Sequence, residues 1–297
     1  MLELRGLHPP IPTPFEGGRF SESHLLENLD RWSRAPLQGY VVLGSNGEAP
    51  LLEDEERRDV IAAARRAIPR GERLLIAGTG RESTAAAIRA TREAFDVGAD
   101  AALVGAPHYY KPDYVDAVLE RHFRAVADAS PGPILLYSVP QFTGVPLSPG
   151  LVRSLSSHPR IAGIKDSGGD LENLKLLIDA ARGADFKVLL GSARILAGGI
   201  LAGAEGAVLA VANVAASLCH EIAEAAFRGE AKQAEAGNER LLPLAQAVTR
   251  THGIGGLKAA LDLLGFRGGE PRPPLLPATP GAREEIAAHL RKLGLLG

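Results

Sequence analysis

The chain has 297 residues, 45% of them hydrophobic, with a formal net charge of -2 at neutral pH and a mean hydropathy of +0.02. That length fits either one α/β barrel or two ordinary domains, and the interspersed charges leave no basic footprint for nucleic acid or an anionic membrane. A single cysteine, Cys219, excludes an intramolecular disulfide framework and a thiolate metal cluster. The first residues, Met1 to Gly6, lack the basic and apolar regions of a signal peptide, and no run reaches about 18 apolar residues. The expectation is a soluble cytoplasmic protein whose partner is a small molecule.

In chain order, short apolar runs recur, each followed by turn residues: Tyr40 to Leu43, Leu74 to Ala77, Ala101 to Val104, Ile134 to Tyr137, Ile161 to Ile164, Val188 to Leu190 and Ala207 to Ala210. Each reads as a strand buried on both faces, as in a parallel sheet covered by helices. Leu7 to Pro14 supplies an eighth, although its prolines weaken any hydrogen-bonded ladder there. Helical patterns lie between the runs, at Glu53 to Ile68, Ser83 to Val97, Tyr114 to Ala127 and Leu171 to Ala181. The alternation predicts a (β/α)8 barrel over 1–214, with an open doubly wound sheet as the structural alternative. No dinucleotide fingerprint supports that alternative. From 215 to 297 the pattern is helical only: Ala215 to Phe227, Glu230 to Arg250, Leu257 to Leu264 and Ala282 to Leu293, interrupted by a Gly/Pro-rich stretch from Gly265 to Gly281.

A barrel places its active site at the C-terminal ends of the strands. The residues there are rich in hydroxyls and poor in charge, and Lys165 is the one cation directly at a predicted strand end. Burial disfavours the charged form of an amine, and a neutral amine can attack a carbonyl to form an imine. An ordinary ion pair is the bland explanation. The remaining lysines fall in helical patterns (Lys175, Lys232, Lys258, Lys292), before a strand (Lys187) or beside a proline (Lys111), and their amines are expected to be solvated.

Tyr137 and Lys165 are 28 residues apart, about one βα unit, which predicts neighbouring strands ~5 Å apart. A phenol beside an imine nitrogen can move protons if a relay supports it; a core tyrosine with a satisfied hydroxyl is the alternative. The turn Gly44-Ser45-Asn46-Gly47-Glu48 offers successive N–H groups and the Ser45 hydroxyl to a carboxylate. Gly191-Ser192-Ala193 either binds an anion or is simply capped by Ser192. The eight histidines show no close pairing in sequence, so no metal site is expected, and His108 alone lies at the predicted active face.

Together, Thr13-Pro14-Phe15, Gly44 to Glu48, Tyr137-Ser138-Val139-Pro140, Thr143-Gly144, Gly163-Ile164-Lys165-Asp166 and Ala212-Asn213-Val214 resemble the dihydrodipicolinate synthase and N-acetylneuraminate lyase family. The resemblance runs in order through nearly the whole chain. It implies a class I pyruvate-type aldolase on a barrel with a C-terminal helical region, without metal or organic cofactor, assembled as a homotetramer (dimer of dimers). It makes Lys165 the Schiff-base former and Tyr137 the proton shuttle. Ser45 and Asn46 would hold the keto-acid carboxylate, with Ser167 and Gly191 lining the pocket. Tyr109, or Tyr110 one position on, resembles the aromatic residue contributed across a dimer interface to a hydroxyl relay that includes Ser45.

Within the family, Lys165 to Asp170, Gly191-Ser192-Ala193 and Gly253 to Lys258 are most similar to the 4-hydroxy-2-oxoglutarate aldolases, implying cleavage to pyruvate and glyoxylate. The alternatives are another pyruvate-dependent aldolase or hydratase of the family, such as a sugar-acid aldolase or the synthase, and a non-catalytic keto-acid sensor. One departure bears on the choice. The synthases carry an arginine for the second substrate's carboxylate two residues after the Val-Pro pair, where Phe142 stands here, and phenylalanine cannot make that charge-assisted contact.

Overall fold

The computed structural model describes residues 2–297. Eight parallel strands form one sheet: β1 Gly6–Leu7, β2 Gly39–Val42, β3 Leu74–Gly78, β4 Ala101–Gly105, β5 Ile134–Ser138, β6 Ile161–Asp166, β7 Lys187–Leu190 and β8 Gly206–Ala207. They pair in chain order from β2 to β8, and β8 pairs with β1. The ring closes between β1 and β2 through a parallel bridge from Pro10 to Val41 and the side-chain amide of Gln38, whose Oε1 accepts the Leu7 N–H at 2.7 Å. This is the expected (β/α)8 barrel.

The boundaries differ where chemistry says they should. The expected first strand, Leu7 to Pro14, shrinks to two residues plus the bridge, because its prolines cannot donate to a ladder. The last run gives a ladder only at Gly206–Ala207, then turns as a short 3-10 helix over Ala210–Asn213.

Helices follow the strands: α1 Glu22–Trp32, α2 Asp54–Ala67, α3 Thr84–Val97, α4 Asp116–Ala129, α5 Pro149–Leu155, α6 Leu171–Ala180, α7 Leu196–Leu201 and α8 Ala216–Phe227. Their starts are written locally. Glu53 and Glu56 form a capping box for α2, Ser83 accepts from the Ala86 N–H for α3, and Asp170 accepts from Glu172 and Asn173 for α6. Helices α9 Ala231–Gln246, α10 Gly253–Leu263 and α11 Pro280–Lys292 complete the chain. Among the described residues no helix is long and apolar enough to cross a membrane.

The core has two layers. Leu4, Val41, Ile76, Leu103, Leu135, Leu189 and Val208 fill the barrel interior, with Tyr137 packed against them. A larger continuous cluster lies between sheet and helices and runs on into the C-terminal region through Leu241, Leu257 and Ile286.

Candidate active site

Strands β5 and β6 set the centre of the site. Their register begins with Ile134 opposite Ile161, slips by one residue at a bulge, and continues with Leu135 opposite Gly163 and Tyr137 opposite Lys165. The extra residue, Ala162, is what brings the phenol and the amine level; an uninterrupted ladder would set Tyr137 against Ile164. Gly163 is required beside the bulge, since a Cβ there would stand 2.2 Å from the Lys187 carbonyl oxygen. Lys165 is buried, with its Nζ 4.2 Å from the centre of the Tyr137 ring. Among the described residues no carboxylate lies within ion-pair distance of that amine.

The next residue serves a different purpose. Asp166 is buried too, its carboxyl pushed up by burial against the opposing effect of hydrogen bonds from the Ser138 side chain and the Gly168 N–H. It anchors the loop that carries Ser167, whose own N–H donates to the Ser138 carbonyl at 2.8 Å.

Opposite, the Gly44–Glu48 segment folds as a 3-10 turn over Ser45–Gly47. The first N–H groups of such a turn have no partner inside it, so those of Ser45 and Asn46 are available to an anion. The Ser45 hydroxyl meets the Tyr137 hydroxyl at 3.2 Å. The turn is pinned from outside by Thr13, whose hydroxyl donates to the Gly47 carbonyl at 2.7 Å. Two non-glycine residues bracket it in the left-handed region, Leu43 and Glu48, both at φ 56°.

Gly191 forms the floor between these walls. A Cβ there would stand 2.0 Å from Ser167 Oγ and 3.1 Å from Lys165 Cε, so only glycine leaves room for the lysine side chain. Chemically, the arrangement offers an unpaired buried amine, a phenol joined to a second hydroxyl, and a turn with free N–H groups: the parts needed to hold a 2-oxo acid and make an imine of it.

Five of the residues expected from sequence therefore meet around one space: Lys165, Tyr137, Ser45, Ser167 and Gly191. Asn46 lies on the same turn, half-buried. Tyr109 does not join them within the chain. It is 77% exposed, stacked edge-on against Tyr110, with its N–H held by Glu82 Oε2 at 2.9 Å. Phe142 sits on a single helical turn, Pro140–Thr143, and is 66% exposed at the rim.

One expectation is corrected. Its helical pattern predicts a solvated Lys258, yet that side chain is fully buried, 2.6 Å from Glu48 Oε1. A carboxylate brought from the distant turn compensates the charge, and one sequence cannot reveal that pairing. Among the described residues no group of three or more His, Cys, Asp or Glu is placed to hold a metal ion.

Comparison with known proteins gives a consistent picture. The dihydrodipicolinate synthetase family model matches residues 3–293. The 4-hydroxy-tetrahydrodipicolinate synthase of Cereibacter sphaeroides is 37% identical over 99% of this chain and 100% of its own. The solved dihydrodipicolinate synthase of Acinetobacter baumannii, complexed with pyruvate, is 31% identical, with a TM-score of 0.91 over 99% of this chain and 100% of its own. A monomeric dihydrodipicolinate synthase variant superposes with a TM-score of 0.94 at 27% identity, over 99% of this chain and 98% of its own.

Proposed function

Because the chain belongs to the dihydrodipicolinate synthetase family of Schiff-base, pyruvate-dependent aldolases, we propose that Lys165 forms the imine with pyruvate or a pyruvate-derived 2-oxo acid. The observation that carries this reading is the register pairing of Lys165 with Tyr137, the amine lying buried over the phenol ring with no carboxylate in ion-pair distance among the described residues. The lone pair of Lys165 Nζ attacks the C2 carbonyl to give a carbinolamine. Tyr137 passes a proton to the departing hydroxyl, water leaves, and a protonated imine remains. That cation accepts the electron pair released when a C3 proton is removed, or when the C3–C4 bond of a 4-hydroxy-2-oxo acid breaks as its hydroxyl loses a proton. Either route yields the pyruvate enamine. Ser45, bonded to Tyr137, relays the proton, while Ser45 and Asn46 hold the C1 carboxylate beside Ser167 and Gly191.

For the second substrate, the names of the relatives favour the synthase reaction, in which the enamine adds to an aldehyde. Phe142 weighs against that reaction, because the rim lacks a cation at that position; cleavage of 4-hydroxy-2-oxoglutarate to pyruvate and glyoxylate, whose distal carboxylate then needs another partner, or of a sugar acid is the second reading. Tyr109 joins the relay as a residue lent by a neighbouring subunit, in keeping with its exposure and with the dimer of dimers that the family resemblance implies.

Borohydride reduction in the presence of pyruvate, followed by peptide mass analysis, tests the imine: the adduct is expected on Lys165, and an unmodified Lys165 would sink the mechanism. A panel of 2-oxo acids and aldehydes coupled to pyruvate detection then chooses the second substrate.

A further inference from the structure

The turn that faces the substrate is held from behind by the C-terminal region. Glu48, left-handed at φ 56°, ends the Ser45–Gly47 turn and is fully buried. Its Oε1 meets Lys258 Nζ of α10 at 2.6 Å, and its Oε2 accepts the N–H of Arg272 at 2.7 Å across 224 residues of sequence. Lys258 Nζ also donates to the Glu270 carbonyl at 3.1 Å. The Arg272 guanidinium bonds both oxygens of Glu56 and the carbonyls of Leu51 and Gly18. Lys258 and Arg272 each lie 4.3 Å from the centre of the Phe15 ring, two residues after Thr13, which bonds the same turn. A side chain rarely stays left-handed unless its surroundings over-determine it. The groups that hold the Glu48 carboxylate, Lys258 Nζ and the Arg272 N–H, both come from the C-terminal region.

We propose that Lys258 and Glu48 are positioning residues: a buried ion pair supplied by the C-terminal region fixes the Ser45-Asn46-Gly47 turn in the shape that receives a substrate carboxylate. Neither side chain reaches the reacting atoms. The pair acts on where the Ser45 and Asn46 N–H groups point, and therefore on how tightly a 2-oxo acid is held before the imine forms. This inference rests on the reading of that turn as the carboxylate site.

The test uses pyruvate with borohydride trapping on the full-length protein, together with thermal melting and hydrogen exchange of the 44–51 amides. In Lys258→Met, half-maximal trapping is expected to need roughly tenfold more pyruvate while the saturated rate stays within about threefold, and exchange in 44–51 accelerates. Because that variant leaves a carboxylate buried without its partner, Glu48→Gln/Lys258→Met is made as well. The double variant is expected to recover the melting temperature but to keep the raised pyruvate requirement and fast local exchange. A double variant that recovers both would make the pair merely structural and overturn the proposal, as would wild-type pyruvate dependence in either variant. If the wild type itself traps no pyruvate, the functional reading fails separately, and exchange in 44–51 decides the positioning role alone.

Discussion

Two lysines are buried among the described residues, and their surroundings are opposites. Lys258 sits where the C-terminal helices meet the barrel and has a carboxylate at 2.6 Å, so desolvation, which pulls its proton affinity down, is countered by Glu48. Lys165 sits at the mouth of the barrel against a phenol ring and has no carboxylate at all within ion-pair distance among the described residues. Burial alone thus says little about chemistry. Under the proposed mechanism, the missing negative charge is what distinguishes Lys165 from the ion-paired Lys258.

Replacing each lysine's surroundings in turn should break the symmetry. Lys165→Met should abolish turnover, by roughly 10⁴-fold or more, while the fold persists; a stable variant that kept activity would end the distinction. Glu48→Ala should do the reverse of this to stability, leaving Lys258 buried without its partner at a cost of about 3–5 kcal/mol, read as the shift of a urea midpoint.

A third buried base extends the comparison. His8 is fully buried, its Nε2 3.1 Å from the Leu4 carbonyl and its Nδ1 without a partner, and burial pushes its pKa down from 6.5 to about 4. It avoids the cost of charge by staying neutral. Below pH 6.5 the unfolded chain takes up a proton that the folded chain refuses, so stability is complete above that pH and falls as the solution is acidified toward pH 4. The loss is about 3 kcal/mol from this group. His8→Gln should flatten that part of the melting-temperature profile; an unchanged slope would show that His8 does not control it.

Tyr137→Phe keeps the ring over Lys165 but removes the hydroxyl shared with Ser45. Turnover should fall by roughly 10²-fold with borohydride labelling still directed to Lys165, because the amine's place depends on the strand register.

The strands and the Lys165–Tyr137 pair could be read from the sequence because both depend on short-range patterns: apolar runs, turn residues and the length of one βα unit. The bulge at Ala162 could not, since Ile161 to Ile164 is apolar throughout and gives no sign of which residue is extra. The turn at Gly44–Glu48 was recognisable as a candidate anion site, but its last residue carried no visible role, because its partners Lys258 and Arg272 are joined to it only by tertiary packing. Solvation of Lys258 was the natural expectation for a helix lysine. It failed because helix α10 is buried on most sides: Gly255, Gly256, Leu257, Ala259, Ala260 and Leu261 are buried with it. Tyr109 was legible only through resemblance, and in the single chain it lies apart from Tyr137's hydroxyl partner.

The glycine at position 191 has a consequence for how this protein can diversify. Its missing side chain, the Ser167 hydroxyl and the Lys165 methylenes occupy one another's only space, so the floor of the site cannot drift by single substitutions without obstructing the lysine. Phe142, open at the rim, carries no such constraint. Substitutions that change substrate choice without obstructing Lys165 are therefore expected at the rim and not at the floor.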